Sequence, residues 1–301
     1  MKAHTCSMTF LGFNNLAWRN NIECLLIIAA VFAYYGGALA DDNASEAINK
    51  NSQNTLADYF DAGFNLYSQG DNDGALTNYL KALEIGLETL GKNHPDVASI
   101  YTSIGMALSA KGDYDGTITN YNKALGIYEQ IPGDYQLEKA TIYLGIGTAA
   151  LSIKSDYDEA LLYFNKELEI YKQVSGESYS DMATVYIMLG VTFLRKADYD
   201  EAIANYNETL EICREASDEN SYEAMVAYAS ISTCYNLRGE PSIGLPYIIK
   251  AFKISYKTLG ANNPETIDYR NRIYNFGGDP DAIEAEAIAE KIAEIEAESG
   301  K

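Results

Sequence analysis

Histidines, cysteines and clustered acids are the side chains from which a catalytic or metal site would be built, and this chain offers few of them. His94 lies next to Pro95 in a loop sequence, and no second histidine stands at a zinc-ligand spacing from it. Cys213 and Cys234 fall on neighbouring expected helices, where either two buried free thiols or one bridge would fit. Alone they do not make a four-ligand site. No phosphate-cradling G-x-x-x-x-G-K-[ST] occurs, nor a dinucleotide glycine fingerprint after a strand. Gln69-Gly70-Asp71-Asn72-Asp73-Gly74 has the look of a calcium loop. Setting Gly74 on the loop glycine puts Gln69 at the first ligand position and Leu80 at the last, and neither suits calcium. The expectation is a protein that is not an enzyme, with no catalytic residue, no metal and no cofactor.

Charge narrows the partners. Lys2, Arg19 and Glu23 leave residues 1–40 at +1 while the whole chain stands at −21, so the remainder carries −22. Such a surface repels phosphate backbones and anionic lipid headgroups, which excludes nucleic acid as a partner. The first 40 residues differ from the rest. Lys2 and Arg19 precede the apolar run Leu25–Ala33, and Ala38-Leu39-Ala40 stands directly before Asp41-Asp42. That order is a signal-peptide pattern, with cleavage expected near Ala40 and an extracytoplasmic (secreted or periplasmic) mature chain. The alternative is an uncleaved segment, residues 22–40, that tethers the protein to a membrane. Residues 41–54 are polar and aperiodic and read as a linker.

The elements that must position any site announce themselves by repetition. Tyr59, Tyr101, Tyr143, Tyr186 and Tyr228 are spaced by 42, 42, 43 and 42 residues. Four residues after each come Gly63, Gly105, Gly147, Gly190 and Ser232. Turn segments follow, among them Gly112-Asp113-Tyr114-Asp115 and Ala197-Asp198-Tyr199-Asp200, and then LTNYLKALEI, ITNYNKALGI, LLYFNKELEI, IANYNETLEI and LPYIIKAFKI. A fixed period of this length means a stack of supersecondary units. Within a unit, apolar residues recur at three- and four-residue steps on both sides of the turn, so each unit is two helices. The glycine admits close helix approach, the Gly-Asp turn ends one helix and caps the next, and the tyrosines fill the space between helices. The third unit carries one inserted residue before Asp156. The fifth departs further, with Pro241 and Pro246 near its second helix.

These residues resemble the tetratricopeptide repeat family, whose pattern A-x-x-Y-x-x-L-G…G-D-Y-D-E-A-I/L-x-x-Y-x-K-A-L-E-I recurs in five successive units. The 42-residue period, and the loops Leu90-Gly91-Lys92-Asn93-His94-Pro95 and Leu259-Gly260-Ala261-Asn262-Asn263-Pro264, are similar to the kinesin-light-chain subtype. The resemblance implies an all-α, right-handed α-solenoid of about five helix-turn-helix units over residues 55–266. A capping helix over 267–278 and an acidic amphipathic helix over 279–301 follow. It also implies a non-catalytic scaffold that binds a protein or peptide in a concave groove lined by the first helix of each unit. Carried onto this sequence, the groove residues are Phe60, Phe64 and Tyr67 in unit one, Thr102 and Met106 in unit two, and Leu144, Thr148 and Leu151 in unit three. Unit four supplies Ile187, Met188, Val191, Leu194 and Arg195, and unit five Thr233 and Asn236.

These positions lack the lysines, arginines and asparagines with which chaperone-binding members hold a carboxylate, so no carboxylate clamp is expected. The asparagines of kinesin light chains are largely missing too. The groove reads as neutral and partly apolar, suited to a peptide or helix. The competing reading packs Ile187, Met188, Val191 and Leu194 against other helices. Along the last helix, Ile288, Ile292 and Ile295 form one apolar stripe on a Glu-rich surface. That stripe would cap the array, pair with a partner or a second copy of the chain, or stay solvated. Self-association through it, or through the solenoid ends, is the alternative function.

Overall fold

The computed structural model describes residues 55–174 and 179–299, with side chains through Ala289. All lie within Asn54–Lys301, one of the chain's two units. The expected signal or anchor (1–40), the linker (41–54) and the side chains of Ile292 and Ile295 lie outside the described residues.

The described residues are all-α, with no strand among them. The pairs are α1 (Leu56–Ser68) with α2 (Asn72–Thr89), α3 (Pro95–Ala110) with α4 (Tyr114–Tyr128), and α5 (Gln136–Ala149) with α6 (Tyr157–Gln173). Then come α7 (Tyr179–Arg195) with α8 (Tyr199–Glu215), and α9 (Tyr222–Leu237) with α10 (Pro241–Thr258). Two helices follow, α11 (Pro264–Asn275) and α12 (Pro280–Ser299). Each helix packs on its chain neighbours, and the core runs on from unit to unit. Tyr79 and Ala82 of α2, for example, are buried with Ile100, Ile104 and Ala107 of α3.

The glycine of each first helix explains the pairing. A Cβ on Gly63 would stand 2.7 Å from the Tyr79 ring, on Gly105 2.7 Å from Tyr121, on Gly147 2.6 Å from Phe164, and on Gly190 2.6 Å from Tyr206. Each ring of a second helix therefore takes the space in which a side chain of its partner would begin. In the fifth pair Ser232 takes the glycine's place and the narrower, fully buried Ile248 the ring's, while Gly244 of α10 approaches the Ser232 carbonyl. The first-helix tyrosines expected to fill this space do something else. Tyr59, Tyr101, Tyr143 and Tyr228 are half-buried, each beneath a lysine of the second helix: Lys81, Lys123, Lys166 and Lys250, with Nζ 4.9–5.4 Å from the ring centre. The fourth unit has Glu208 at that lysine's position, and Tyr186 is covered instead by Lys172 of the preceding unit.

The turns repeat in detail. Gly70, Gly112 and Gly239 sit at φ near +80°, and Ser155 and Ala197 hold the same left-handed region at 57° and 60°. Asp71, Asp113, Asp156 and Asp198 then cap the second helices by accepting from backbone N–H groups three residues on. Lysine or arginine after a first helix pairs with an aspartate in the first turn of the preceding second helix: Lys111 with Asp73, Lys196 with Asp158 (2.6 Å) and Arg238 with Asp200 (2.5 Å). The inserted residue of unit three is taken up by a π turn, Ala150–Lys154, that prolongs α5. It displaces Lys154 from this series. Lys154 pairs within its own unit with Asp156 and Glu159 and lies over the Tyr114 ring. Pro241 opens α10, where its missing N–H costs nothing, whereas Pro246 lies in the second turn and offers the Ser242 carbonyl no N–H, yet α10 runs on to Thr258.

The closing segment starts at Pro264, and its turn repeats the pattern, with Gly277 at φ 85° and Asp279 accepting from the N–H of Asp281 and Ala282. Four residues after Arg270, which occupies the repeat tyrosine's register, stands Tyr274 rather than a small residue, and its side chain is 72% exposed. With that face blocked, α12 leans on α10 as well as α11, through Lys253–Glu286.

Candidate interaction groove

First helices form the closer-spaced layer. α1 touches α3, α3 touches α5, and α7 touches α9, whereas second helices make no comparable contact with one another. A layer whose members crowd together lies on the inside of a curved stack, so the first helices present the inner face. α5 and α7 do not close up to the same degree, nor do α9 and α11. In the latter gap the Arg272 guanidinium donates to the Ala229 carbonyl and the Thr233 hydroxyl, both at 2.9 Å.

The residues assigned to the groove divide by burial. Met106, Leu144, Thr148, Leu151, Ile187 and Met188 are buried. Phe60, Phe64, Tyr67, Thr102, Val191, Leu194, Arg195 and Thr233 are half-buried, and Asn236 is exposed. Phe60 turns its ring to Tyr79, centroids 5.6 Å apart, and so belongs to the first unit's packing. The hydroxyls along this face bond to their own helices: Thr102 to the Ala98 carbonyl, Ser103 to Ser99, Thr141 to Leu137, Thr184 to Ser180 and Thr233 to Ala229. Their donors satisfied, they are left as acceptors, with a methyl group beside each threonine oxygen, and the Thr233 oxygen already accepts from Arg272. The inner face is therefore short on free donors, and Arg195 is a cation within it.

A second periodic feature lies beside the groove residues and is not among them. Asp96, Glu138, Asp181, Glu223 and Glu265 recur in the first turns of α3, α5, α7, α9 and α11. Their spacing is the repeat's own, so the signal was present, but a first-turn acid reads as an ordinary partner of the helix dipole. Side by side they edge the inner layer with carboxylates, and hydrogen bonds tie neighbours together, Ser180 to Glu223 (2.9 Å) and Tyr222 to Glu265 (3.4 Å). Burial pushes the Glu265 carboxyl up, partly offset by the Tyr222 hydroxyl.

No cluster of metal-ligating side chains occurs among the described residues. His94 accepts the Asp96 N–H at 3.2 Å and caps α3, as Asn263 caps α11. Cys213 and Cys234 are free buried thiols, and burial pushes Cys234 up to about 12. An open cleft of about 490 Å³ lies at the far end, between Phe252 and Tyr256 of α10, Ile267, Arg270 and Tyr274 of α11, and Pro280 and Glu284 of α12. No described helix is long and apolar enough to cross a membrane.

A family model for the tetratricopeptide repeat matches residues 55–116, 96–173 and 181–243. Among solved structures, the chain is similar to TPR-like repeats assigned to a kinesin light chain of Podosopora anserina, with 12% identity over 68% of this chain and 96% of that one and a TM-score of 0.59. The apo form of RapI is similar at 16% identity, covering 79% of this chain and 84% of that one, with a TM-score of 0.63. BtubC (BKLC) from P. vanneervenii is similar at 21% identity, covering 83% and 96%, with a TM-score of 0.56. At these identities the likeness is one of fold. No curated protein matches the chain.

Proposed function

The chain belongs to the tetratricopeptide repeat family, whose fold is a protein–protein interaction scaffold and generally non-catalytic, and from that premise we propose that its inner layer holds a peptide or helix of a partner protein. The observation that carries this reading is the crowding of first helices into one inner face, with Phe64, Val191, Leu194 and Arg195 left part-accessible on it. Its hydroxyls are internally bonded and its edge is acidic, so a partner segment mixing apolar side chains with lysine or arginine is the best complement. The reading extends to location: the N-terminal pattern delivers the array outside the cytoplasm, freed at Ala40 or tethered through residues 22–40.

Photo-crosslinking tests the groove. A crosslinker replacing Ser103 or Ser230 on first helices, and in parallel Leu80 or Leu162 on second helices, is activated in cells making the full chain. Partner adducts are expected from the first pair of positions. Adducts confined to the second pair would move the interaction to the outer layer.

A second reading is end-to-end self-association. It is favoured by Tyr274 and Ile267, exposed at the terminal cleft, and by Ile288, exposed on α12. A mass in solution that doubles with concentration, and reverts in Tyr274→Asp, would support it. A monomer at all concentrations would exclude it.

A further inference from the structure

Glu167 lies in the middle of α6, only 2% exposed, and its Oε2 has no hydrogen-bond partner. The repeat shows what the position ordinarily holds. Units one, two and five have Ala82, Ala124 and Ala251, and unit four has Thr209, all fully buried. The Thr209 hydroxyl finds a partner in the Ala183 carbonyl of α7. The equivalent of Ala183 one unit earlier is Ala140 on α5, so no compensating polar side chain has appeared there. A carboxyl has replaced a methyl in a well-packed seam without acquiring a counter-charge.

Charges of both signs stand on the surrounding elements, but the one that acts on Glu167 is an acid. The charged groups on elements packed against α6 are Glu138 and Lys139 on α5, Lys154 on the π turn, and Asp181 and Arg195 on α7. Lys154 is engaged by Asp156 and Glu159. Of all these, Asp181 acts on Glu167, and it repels a second negative charge. The seam is also the place where the inner layer opens, since α5 and α7 do not approach as α1–α3, α3–α5 and α7–α9 do.

We propose that Glu167 makes the junction of the third and fourth units a proton-sensitive joint: with its carboxyl neutral, α6 and α7 close on each other, and when it ionises they part to admit water. Burial first, and Asp181 second, hold the carboxyl well above the usual glutamate range in the closed form. The sign follows. Below the ordinary glutamate range both closed and opened forms are protonated and nothing is lost. Between that range and the raised value the opened form ionises first, so rising pH favours opening. This inference is independent of the groove reading.

The test is hydrogen exchange of the full chain between pH 5 and 8.5, comparing wild type with Glu167→Gln and with Glu167→Ala, the residue of three other units. Opening constants for α6 and α7 amides are referred to those of α1 and α2 in the same molecule. The wild-type to variant ratio is expected to rise about tenfold per pH unit above the ordinary range until it levels off, and to stay flat in α1 and α2. Parallel pH curves for wild type and either folded variant would overturn the proposal. So would failure of both variants to fold, because a joint that closes with a neutral carboxyl must accept the neutral amide.

Discussion

Phe164 is fully buried against the bare backbone of Gly147, while Tyr143, its neighbour in the same unit, is half-buried beneath Lys166 and beside Tyr163 at 5.9 Å. The two aromatics should therefore behave differently when truncated. Phe164→Ala is expected to cost about 3–5 kcal/mol, because it leaves a cavity between packed helices. Tyr143→Ala should cost roughly 1–2 kcal/mol, for partial burial and one cation–π contact. Chemical denaturation of the two variants checks the ranking, and equal losses would contradict it. Ala197 supplies a test of opposite sign. It holds φ at 60°, where a Cβ is disfavoured and three other turns place glycine. Ala197→Gly is expected to stabilise by about 0.5–1 kcal/mol after allowing for the looser unfolded chain, measured as a rise in midpoint.

At the scale of elements, each Asp cap satisfies a backbone donor that the second helix would otherwise leave to water. Asp198→Ala should lose about 1 kcal/mol and Asp198→Ser almost none, because serine caps a helix about as well as aspartate, read by thermal unfolding. These features were legible in the sequence because five copies reinforce one another: the paired helices, the Gly-Asp turns and the single insertion all follow from aligning the units. What one copy does alone was not legible. The insertion gave no sign that a π turn would absorb it. Glu167 sits in the run Lys166-Glu167-Leu168-Glu169, which reads as the solvated face of a helix, and only the packing of neighbours buries it. The groove suffered likewise. Helical spacing tells which residues share a face, but not its rotation relative to adjacent units, so the spacing assigns Leu144 and Ile187 to the lining where the structure buries them.

Across the whole molecule two electrostatic effects oppose each other. The bridges Lys111–Asp73, Lys196–Asp158 and Arg238–Asp200 link successive units, but their aspartates are largely exposed, and such pairs contribute at most about 1 kcal/mol each. Residues 55–301 carry −20, since residues 1–40 hold +1 and residues 41–54 hold −2 of the chain's −21, and this charge repels itself along the stack. The second effect should win. Raising salt from about 10 mM to about 150 mM is expected to raise the unfolding midpoint by several degrees, as the screening length falls from about 30 to 8 Å. A lower midpoint would mean that the bridges dominate. Because each unit touches only its neighbours, the gain should be spread along the array rather than concentrated at one end.

Lys172 over Tyr186 has a consequence for how such a chain can change over time. Elsewhere a unit brings its own lysine to its own tyrosine, so this contact travels with the unit when it is copied or moved. In the fourth unit it does not: the unit carries Glu208 at the lysine's position and depends on the third for the missing cation. Transplanted into another array without its predecessor, it would arrive with an uncovered ring and a carboxylate beside it. Separating units three and four would therefore cost one more contact than breaking the array elsewhere, a cation–π pair of about 0.5–1 kcal/mol, and a recombination that shuffles single repeats would feel that extra cost at this boundary.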